Sequence, residues 1–476
     1  MSRFSRNLSI TAVPAVALIG LAVMKTPSAP VDYVLAPVYT PAPSVVSSAE
    51  SGELVATASL DRGAVLREDG TLRVEVTVRS THEPGAGLRT PTDLVVVLDR
   101  SGSMQGDKIA DARHAAIELL GHLDEQDRFS LVTYAGDAKV KIPLAPATVG
   151  NKALWERQIS WVLAGGGTEM QAGLAAGQES LVSTAGRAQR MILISDGLPN
   201  SRGGLIEQAA GLGRSEVPLS TVGIGLDYDE QLMSSMADAG TGNFYWVQGS
   251  DDMAATFAEE FETARETVAS GLAVRFAPGG LVSLTEAAGY TLAAEGGGGA
   301  SFAVGSVFAE QERTFWLTLD VGEQAPLGAL DPGSLELSWR DLSGELSTVT
   351  VDLPELVVTD DALVYQAAFD AERWGRGVVD EEYNRMRAEV SARVQAGDRD
   401  AAIAMIDGYY DDNTMLNASL GNDQVSANLV EVQQLRVEVA DNFVGANQRQ
   451  RQNFWAKSTN ESAYGSRKVG QYRGSR

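Results

Sequence analysis

The chain has 476 residues, of which 44% are hydrophobic and 21% charged, so it is globular and long enough for about three domains. Its formal net charge of −25 disfavours binding to nucleic acid and to anionic membranes. It has no cysteine and only three histidines, which excludes disulfides, thiolate metal sites and cysteine nucleophiles. We therefore expect a protein that is not an enzyme and that has no nucleic-acid partner.

The N-terminus has the pattern of an export signal. Arg3 and Arg6 precede an apolar run from Ile10 to Met24, and its length of about 15 residues is short for a membrane-spanning helix. Residues 1–25 are predicted to be a signal peptide or an uncleaved signal anchor, the alternative being a buried N-terminal helix. The protein is then exported and is periplasmic, on the cell surface, or tethered to the membrane by this segment.

A proline-rich stretch and a pair of strands follow. Residues 26–50 contain five prolines among Ser, Ala and Val, which predicts an extended linker. In segment 51–90, residues 52–60 and 71–80 alternate apolar and polar side chains, the period expected of half-buried strands.

Segment 91–268 alternates between strand and helix patterns. Asp93–Leu98 is a nearly continuous apolar run, which is typical of a strand buried on both faces. A helical stretch follows at Lys108–Leu123, and the same alternation continues to residue 268. The pattern predicts a doubly wound, Rossmann-like α/β domain with helices on both faces of its sheet.

The remaining chain changes character twice. Residues 269–358 are predicted to be all-β, 360–456 helical, and 457–476, rich in Ser, Gly and Arg, a disordered basic tail. A β-sandwich needs about seven strands, so we predict that the strands of 51–90 join 269–358 in one β-sandwich with the α/β domain inserted in it. The alternative is a separate small sheet at each end.

Oxygen-bearing side chains follow the predicted strands of the α/β domain. Asp99, Ser101 and Ser103 come directly after the first buried strand. Thr168 follows a run of three glycines, and Asp196 follows a second buried strand. The carboxyl ends of parallel strands meet at one edge of a sheet, and oxygen ligands select hard cations such as Mg²⁺, Mn²⁺ or Ca²⁺.

This arrangement resembles the von Willebrand factor A domain and its metal-ion-dependent adhesion site. The family pattern is Asp-x-Ser-x-Ser, then a Thr, then an Asp followed by Gly, and the sequence matches it at all five positions. The resemblance implies Mg²⁺, with Mn²⁺ or Ca²⁺ as alternatives. It implies that Ser101, Ser103 and Thr168 coordinate the ion directly. Asp99 and Asp196 would act mostly through water.

The family resemblance also implies a function. A divalent cation with an open position would bind an Asp or Glu of a protein partner, which makes the chain an adhesion or scaffold module of the cell envelope. The flanking segments loosely resemble exported bacterial proteins likened to inter-alpha-trypsin-inhibitor heavy chains and calcium-activated channels. The alternatives are a regulator or subunit of a membrane channel or envelope complex, a self-cleaving protease, and a purely structural metal.

The sequence also predicts roles for other residues of the α/β domain. Arg100 either pairs with the partner's acidic residue or forms a salt bridge within the domain. Trp155 and Trp161 are predicted to pack in the interior. The acidic run Asp227–Glu230 is predicted to cap the next helix.

Overall fold

The computed structural model describes residues 46–81, 90–181, 186–309, 312–341 and 343–473. The predicted signal segment, 1–25, and residues 26–45 of the predicted linker lie outside these ranges. Among the helices in them, none combines the length and the apolarity needed to cross a bilayer.

The described chain begins with strands β1 (Ser47–Ser51), β2 (Leu54–Leu60), β3 (Ala64–Leu66) and β4 (Thr71–Ser80). Every second residue of β4 is buried, as the alternating pattern predicts. The prediction of a linker up to residue 50 is wrong at its end, because β1 pairs antiparallel with β2 along its whole length.

The α/β domain is built on a sheet of order β10-β9-β8-β5-β6-β7, in which only the edge strand β7 is antiparallel to its neighbour. Its elements in chain order are β5 (Thr92–Asp99), α1 (Asp107–His122), β6 (Arg128–Tyr134), β7 (Ala138–Pro146), α2 (Val149–Ser160), α3 (Met170–Ser180), β8 (Ala188–Ser195), α4 (Leu205–Arg214), β9 (Leu219–Ile224), α5 (Glu230–Ala239), β10 (Thr241–Val247) and α6 (Ser250–Arg265).

Strand β5 lies at the centre of this domain and is buried along its whole length. Leu94, Val96 and Leu98 belong to an apolar cluster with α1, α2 and α6. Val95 and Val97 belong to a second cluster with α3, α4 and α5. Helices therefore cover both faces of the sheet, and the predicted doubly wound fold is confirmed.

The strands after α6 form two large antiparallel sheets and one small sheet. The orders are β1-β2-β4-β15-β12, β13-β14-β11-β17-β18 and β16-β19-β3. The new strands are β11 (Thr267–Pro278), β12 (Val282–Ala287), β13 (Ala293–Ala294), β14 (Ala300–Phe308), β15 (Glu312–Val321), β16 (Gly328–Leu330), β17 (Gly333–Arg340), β18 (Leu346–Asp352) and β19 (Leu356–Thr359).

Strands from before and after the α/β domain meet directly. Residues 71–79 of β4 pair antiparallel with residues 312–320 of β15. One apolar core contains side chains of both large sheets, among them Val74 and Val76 of β4, Phe276 of β11 and Trp339 of β17. The segments on either side of the α/β domain therefore share one sheet and one core.

The chain then becomes helical. A π-helical turn at Gly377–Glu382 joins the second and third helices, and Asp398 and Asn422 cap the two that follow by accepting bonds from backbone amides. The elements are α7 (Ala362–Ala367), α8 (Ala371–Arg376), α9 (Tyr383–Ala396), α10 (Arg399–Leu420), α11 (Asp423–Asn442), α12 (Gln448–Gln471) and β20 (Tyr472–Arg473).

The prediction of a disordered tail over 457–476 is wrong as far as the structure describes it, because α12 continues to Gln471. The buried side chains of this helix include Ala456, Ala463 and Tyr464. Tyr464 packs edge-on against Phe244 of the α/β domain, with ring centroids 5.6 Å apart. The Ser- and Gly-rich composition thus hides a stripe of small and aromatic residues that lets the helix pack closely.

Lys457 lies on the same stripe, and its side chain is 0% exposed. Its ammonium donates to the carbonyl of Tyr228 at 3.2 Å and lies 3.6 Å from the centroid of that tyrosine ring. The carboxylate of Glu230 is 3.5 Å away and 5% exposed. Burial raises the pKa of Glu230 to about 7, although Lys457 acts in the opposite direction.

We expect Lys457→Met to destabilise the protein by about 3 kcal/mol at pH 8, because Glu230 then remains buried without its counter-ion. The loss should shrink at pH 6. The folded-state pKa of Glu230 is raised, so the carboxyl is increasingly protonated below pH 7 and its burial then costs the protein less stability. Urea unfolding midpoints at the two pH values measure both effects.

The double variant Lys457→Met/Glu230→Gln is the matched control. It removes both charges and should recover most of the lost stability at pH 8. A single Lys457→Met variant that unfolds at the wild-type urea concentration at pH 8 would show that the pair does not hold α12 in place.

Candidate metal centre

The predicted site residues lie at one edge of the α/β sheet, at the end of a strand or in the segments that follow. Asp99 ends β5, and Ser101 and Ser103 lie in the loop and short 3-10 turn that follow it. Asp196 directly follows β8, the parallel neighbour of β5. Thr168 lies two residues before the start of α3. The sheet topology therefore brings together residues that are nearly 100 positions apart in sequence.

Hydrogen bonds link four of the five predicted residues. The backbone amide of Ser101 donates to Oδ1 of Asp99 at 2.7 Å. The hydroxyls of Ser101 and Ser103 are hydrogen-bonded to each other at 3.0 Å. The Ser103 hydroxyl donates to Oδ1 of Asp196 at 2.8 Å. The side-chain oxygens of these residues thus converge on one small region.

The fifth residue, Thr168, is held there through its backbone. Its carbonyl accepts a bond from the amide of Asn200 at 3.0 Å, and the Asn200 side chain lies 3.4 Å from the Thr168 amide. Two residues earlier, the carbonyl of Gly166 accepts a bond from the amide of Gly102 at 3.0 Å. The Thr168 loop is therefore tied to both of the other loops, and Thr168 is 8% exposed.

Three residues of the site were not predicted. Ser195 donates its hydroxyl to Oδ2 of Asp99 at 2.8 Å, and Asn200 ties down Thr168. Lys108, in the first turn of α1, places its ammonium 2.5 Å from Oδ2 of Asp196. A lysine at the positive end of a helix dipole is unfavourable by itself, and that mismatch is the sequence signal that could have pointed to Lys108.

The site buries two carboxylates close together. Asp99 and Asp196 are both 0% exposed. Burial raises the pKa of Asp99, and the nearby negative charge of Asp196 adds to this, whereas bonds from Ser101 and Ser195 lower it. Two buried acids are costly in a metal-free site, and a cation between them would remove that cost.

Arg100 pairs with groups of its own domain. One guanidinium nitrogen lies 3.0 Å from Oδ1 of Asp137, and another donates to the carbonyl of Gly165 at 3.3 Å. Of the two roles considered for Arg100, the structure shows the salt bridge within the domain.

The structure also decides the other assignments near the site. Asp229 caps α5 by accepting from the amide of Leu232, as predicted for the acidic run. Trp155 is buried against Phe129, as predicted. The prediction that Trp161 packs in the interior is wrong, because α2 ends at the residue before it and its side chain is 75% exposed.

The donor set fits a hard divalent cation. It consists of hydroxyl and carboxylate oxygens, without the thiolates or imidazoles that zinc and copper prefer. The hydroxyls of Ser101 and Ser103 and the carboxylate of Asp196 already form a hydrogen-bonded chain. Oxygens that satisfy one another in this way are placed close enough to share an ion.

In the presence of chelator, we expect Asp99→Asn to raise the melting temperature by roughly 2–4 °C, the shift that corresponds to about 1 kcal/mol in a domain of this size. The neutral amide removes a buried charge, and the Ser195 hydroxyl can turn to accept from it. Thermal unfolding at pH 7.5 in EDTA measures the change.

The control lies at the other end of the same strand. Asp93 is equally buried but pairs with Arg128 and Arg187. Asp93→Asn should therefore lower the melting temperature, since it leaves two arginines without their partner. Equal losses in both variants would contradict the view that Asp99 is held against a cost.

Comparison with known proteins adds the relationship. The sequence profile of the von Willebrand factor type A domain matches residues 93–259. "Uncharacterized protein sll0103" of Synechocystis sp. is 24% identical over 368 residues, which cover 74% of this chain and 85% of the relative. Inter-alpha-trypsin inhibitor heavy chain H1 of Mesocricetus auratus is 29% identical over 168 residues, 33% of this chain but 18% of the relative.

The similarity in fold extends beyond the α/β domain. The solved structure titled von Willebrand factor type A from Catenulispora acidiphila aligns with a TM-score of 0.63 at 17% identity, covering 79% of this chain and 89% of that chain. That likeness is one of fold, whereas the profile match falls on the doubly wound unit. The chain therefore contains a von Willebrand factor type A domain.

Proposed function

We propose that the protein is a metal-dependent binding module that captures a carboxylate of a protein partner. Ser101, Ser103 and Thr168 would hold a divalent cation, Mg²⁺ or alternatively Mn²⁺ or Ca²⁺, with Asp99 and Asp196 acting mostly through water. When bound, the cation supplies a positive charge and an open coordination position for an Asp or Glu of the partner. Von Willebrand factor A domains are typical of protein-interaction and adhesion modules.

The observation that carries this proposal is the hydrogen-bonded convergence of Asp99, Ser101, Ser103 and Asp196 at one edge of the sheet. Both buried carboxylates already have hydrogen-bond donors within the domain, Ser101 and Ser195 for Asp99, and Ser103 for Asp196. Neutral hydroxyls would therefore be the groups that touch the ion. A cation held mainly by neutral groups keeps most of its charge, so it attracts an anionic partner.

The acidic composition is compatible with a metal-mediated contact to a carboxylate, because such a contact acts at short range. With a net charge of −25, the chain repels acidic partners at a distance. Solution salt screens that repulsion beyond a Debye length of about 8 Å, whereas a direct bond to a metal acts within contact distance. We further propose that the protein is not an enzyme, and that it is exported and acts in the cell envelope.

Metal binding itself can be tested with the ion alone. Wild-type protein should bind one Mg²⁺ or Mn²⁺ per chain, with a dissociation constant of roughly 0.1–1 mM, because Mg²⁺ gives up its water reluctantly. Asp99→Ala and Ser101→Ala should abolish the binding and keep the fold, as judged by calorimetry and circular dichroism.

Ser160→Ala is the matched control for Ser101→Ala. Ser160 ends α2 and its hydroxyl donates within that helix, to the carbonyl of Glu156. Its loss should leave metal affinity unchanged. Equal affinity in wild type and Asp99→Ala would refute the metal site.

Partner capture can be tested on an envelope extract with immobilised protein. Capture of the partner should disappear in EDTA and return with Mg²⁺. Thr168→Ala should weaken it by several kcal/mol, because removing a ligand from a desolvated ion costs far more than changing an exposed side chain, at about 0–1 kcal/mol.

The control substitution is Thr350→Ala, the same chemical change at an exposed position of β18. It should leave capture unchanged. Partner capture that resists chelator at wild-type strength would show that the partner is held elsewhere, and the adhesion proposal would then fall even if the metal binds.

A further inference from the structure

A lysine lies beside the loops that carry the candidate metal ligands. A second positive charge is not expected next to a site for a metal cation. Lys108 lies in the first turn of α1, and its ammonium is 2.5 Å from Oδ2 of Asp196. The other oxygen of that carboxylate accepts the hydroxyl of Ser103. Lys108 therefore neutralises one of the two buried carboxylates from within the chain.

The ammonium is held in position by packing as well as by charge. The Lys108 side chain is 29% exposed, and its stem runs beside Gly225 in the loop after β9. A Cβ at Gly225 would lie 3.5 Å from Cε and 3.8 Å from Nζ of Lys108. The indole nitrogen of Trp246 donates to the Gly225 carbonyl at 2.7 Å and so fixes this loop. Lys108 is thus a built part of the site.

The balance of charge follows from these contacts. Asp99 and Asp196 carry two negative charges, and Lys108 carries one positive charge. The nearby Arg100 is paired with Asp137 and does not enter this balance. A divalent cation would bring the sum from −1 to +1, whereas without Lys108 it would go from −2 to zero.

We propose that Lys108 is an internal counter-ion that lowers the affinity of the site for a free divalent cation and leaves the loaded site positive, so that it favours binding of a carboxylate. The first half concerns the ion alone, and the second half rests on the proposed function. Lys108 thereby couples the binding of ion and partner, because the partner's negative charge offsets the excess positive charge that Lys108 leaves on the loaded site.

The test titrates Mn²⁺ alone into the full chain. Lys108→Met, which keeps an apolar stem of similar length, should bind the ion about tenfold more tightly, since a like charge one carboxylate away is removed. Lys108→Gln, which can still donate to Asp196, should do the same. The control Lys141→Met, an exposed lysine of β7, should leave the affinity unchanged.

Stability without metal gives a second readout. In EDTA, Lys108→Met should lower the melting temperature, because Asp196 loses its counter-ion, and added Mn²⁺ should restore it. If both Lys108 variants fold and bind Mn²⁺ no more tightly than wild type, the counter-ion role is overturned.

The carboxylate half is tested with glutarate as the probe at saturating Mn²⁺. Wild type should bind it several-fold more tightly than Lys108→Met, and equal binding would overturn this half. The outcomes separate the two proposals. A wild-type protein that binds no Mn²⁺ would refute both the metal site and the counter-ion, whereas metal binding that is insensitive to Lys108 would refute the counter-ion alone.

Discussion

Pairing of β4 with β15 is the contact on which the other parts of the molecule depend. It joins residues 71–79 to residues 312–320, and the whole α/β domain lies in the chain between them. The inward side chains of β4 enter the core shared by the two large sheets. Its outward charged residues form ion pairs with the helical region. Glu75 pairs with Arg373 and Arg376, and Arg73 pairs with Glu382. One strand thus positions three regions of the fold.

Strand β5 has the corresponding role inside the α/β domain, and it carries a buried carboxylate at each end. Asp93, at its beginning, is neutralised by two arginines and is structural. Asp99, at its end, accepts bonds from the backbone amide of Ser101 and the hydroxyl of Ser195. The same residue type on one strand is therefore paired with two arginines at one edge of the sheet and with neutral donors at the other. The contrast in partners distinguishes the arginine-paired carboxylate of Asp93 from the carboxylate of Asp99 at the candidate site.

Site residues could be placed from the sequence where a local apolar pattern also determines which edge of the sheet a residue reaches. Asp99, Ser101 and Asp196 could be placed because each follows an apolar run whose end must lie at the same sheet edge. Lys108 gives a weaker signal. Its place at the positive end of a helix dipole indicates that a counter-charge lies near, but no spacing along the sequence reveals that the ammonium reaches Asp196 in the loop after β8. The helix through Lys457 was missed for another reason. Its buried stripe depends on small residues, and small residues in a Ser- and Gly-rich stretch are compositionally indistinguishable from a flexible tail.

The positions at which the α/β domain joins the rest of the chain have a mechanical consequence. The hydroxyl of Thr90, just before β5, donates to the carbonyl of Thr267, where β11 begins, so the two connections lie side by side at the sheet edge opposite the candidate metal site. Tension applied at the loop edge therefore runs along the strands. A pull on the loop after β8 would reach the tethered start of β5 through the ladder between these parallel strands, whose bonds would carry the load together in shear. The domain is thus attached to the rest of the chain at one sheet edge and carries its candidate site at the other, so a load between them would be shared by many bonds at once.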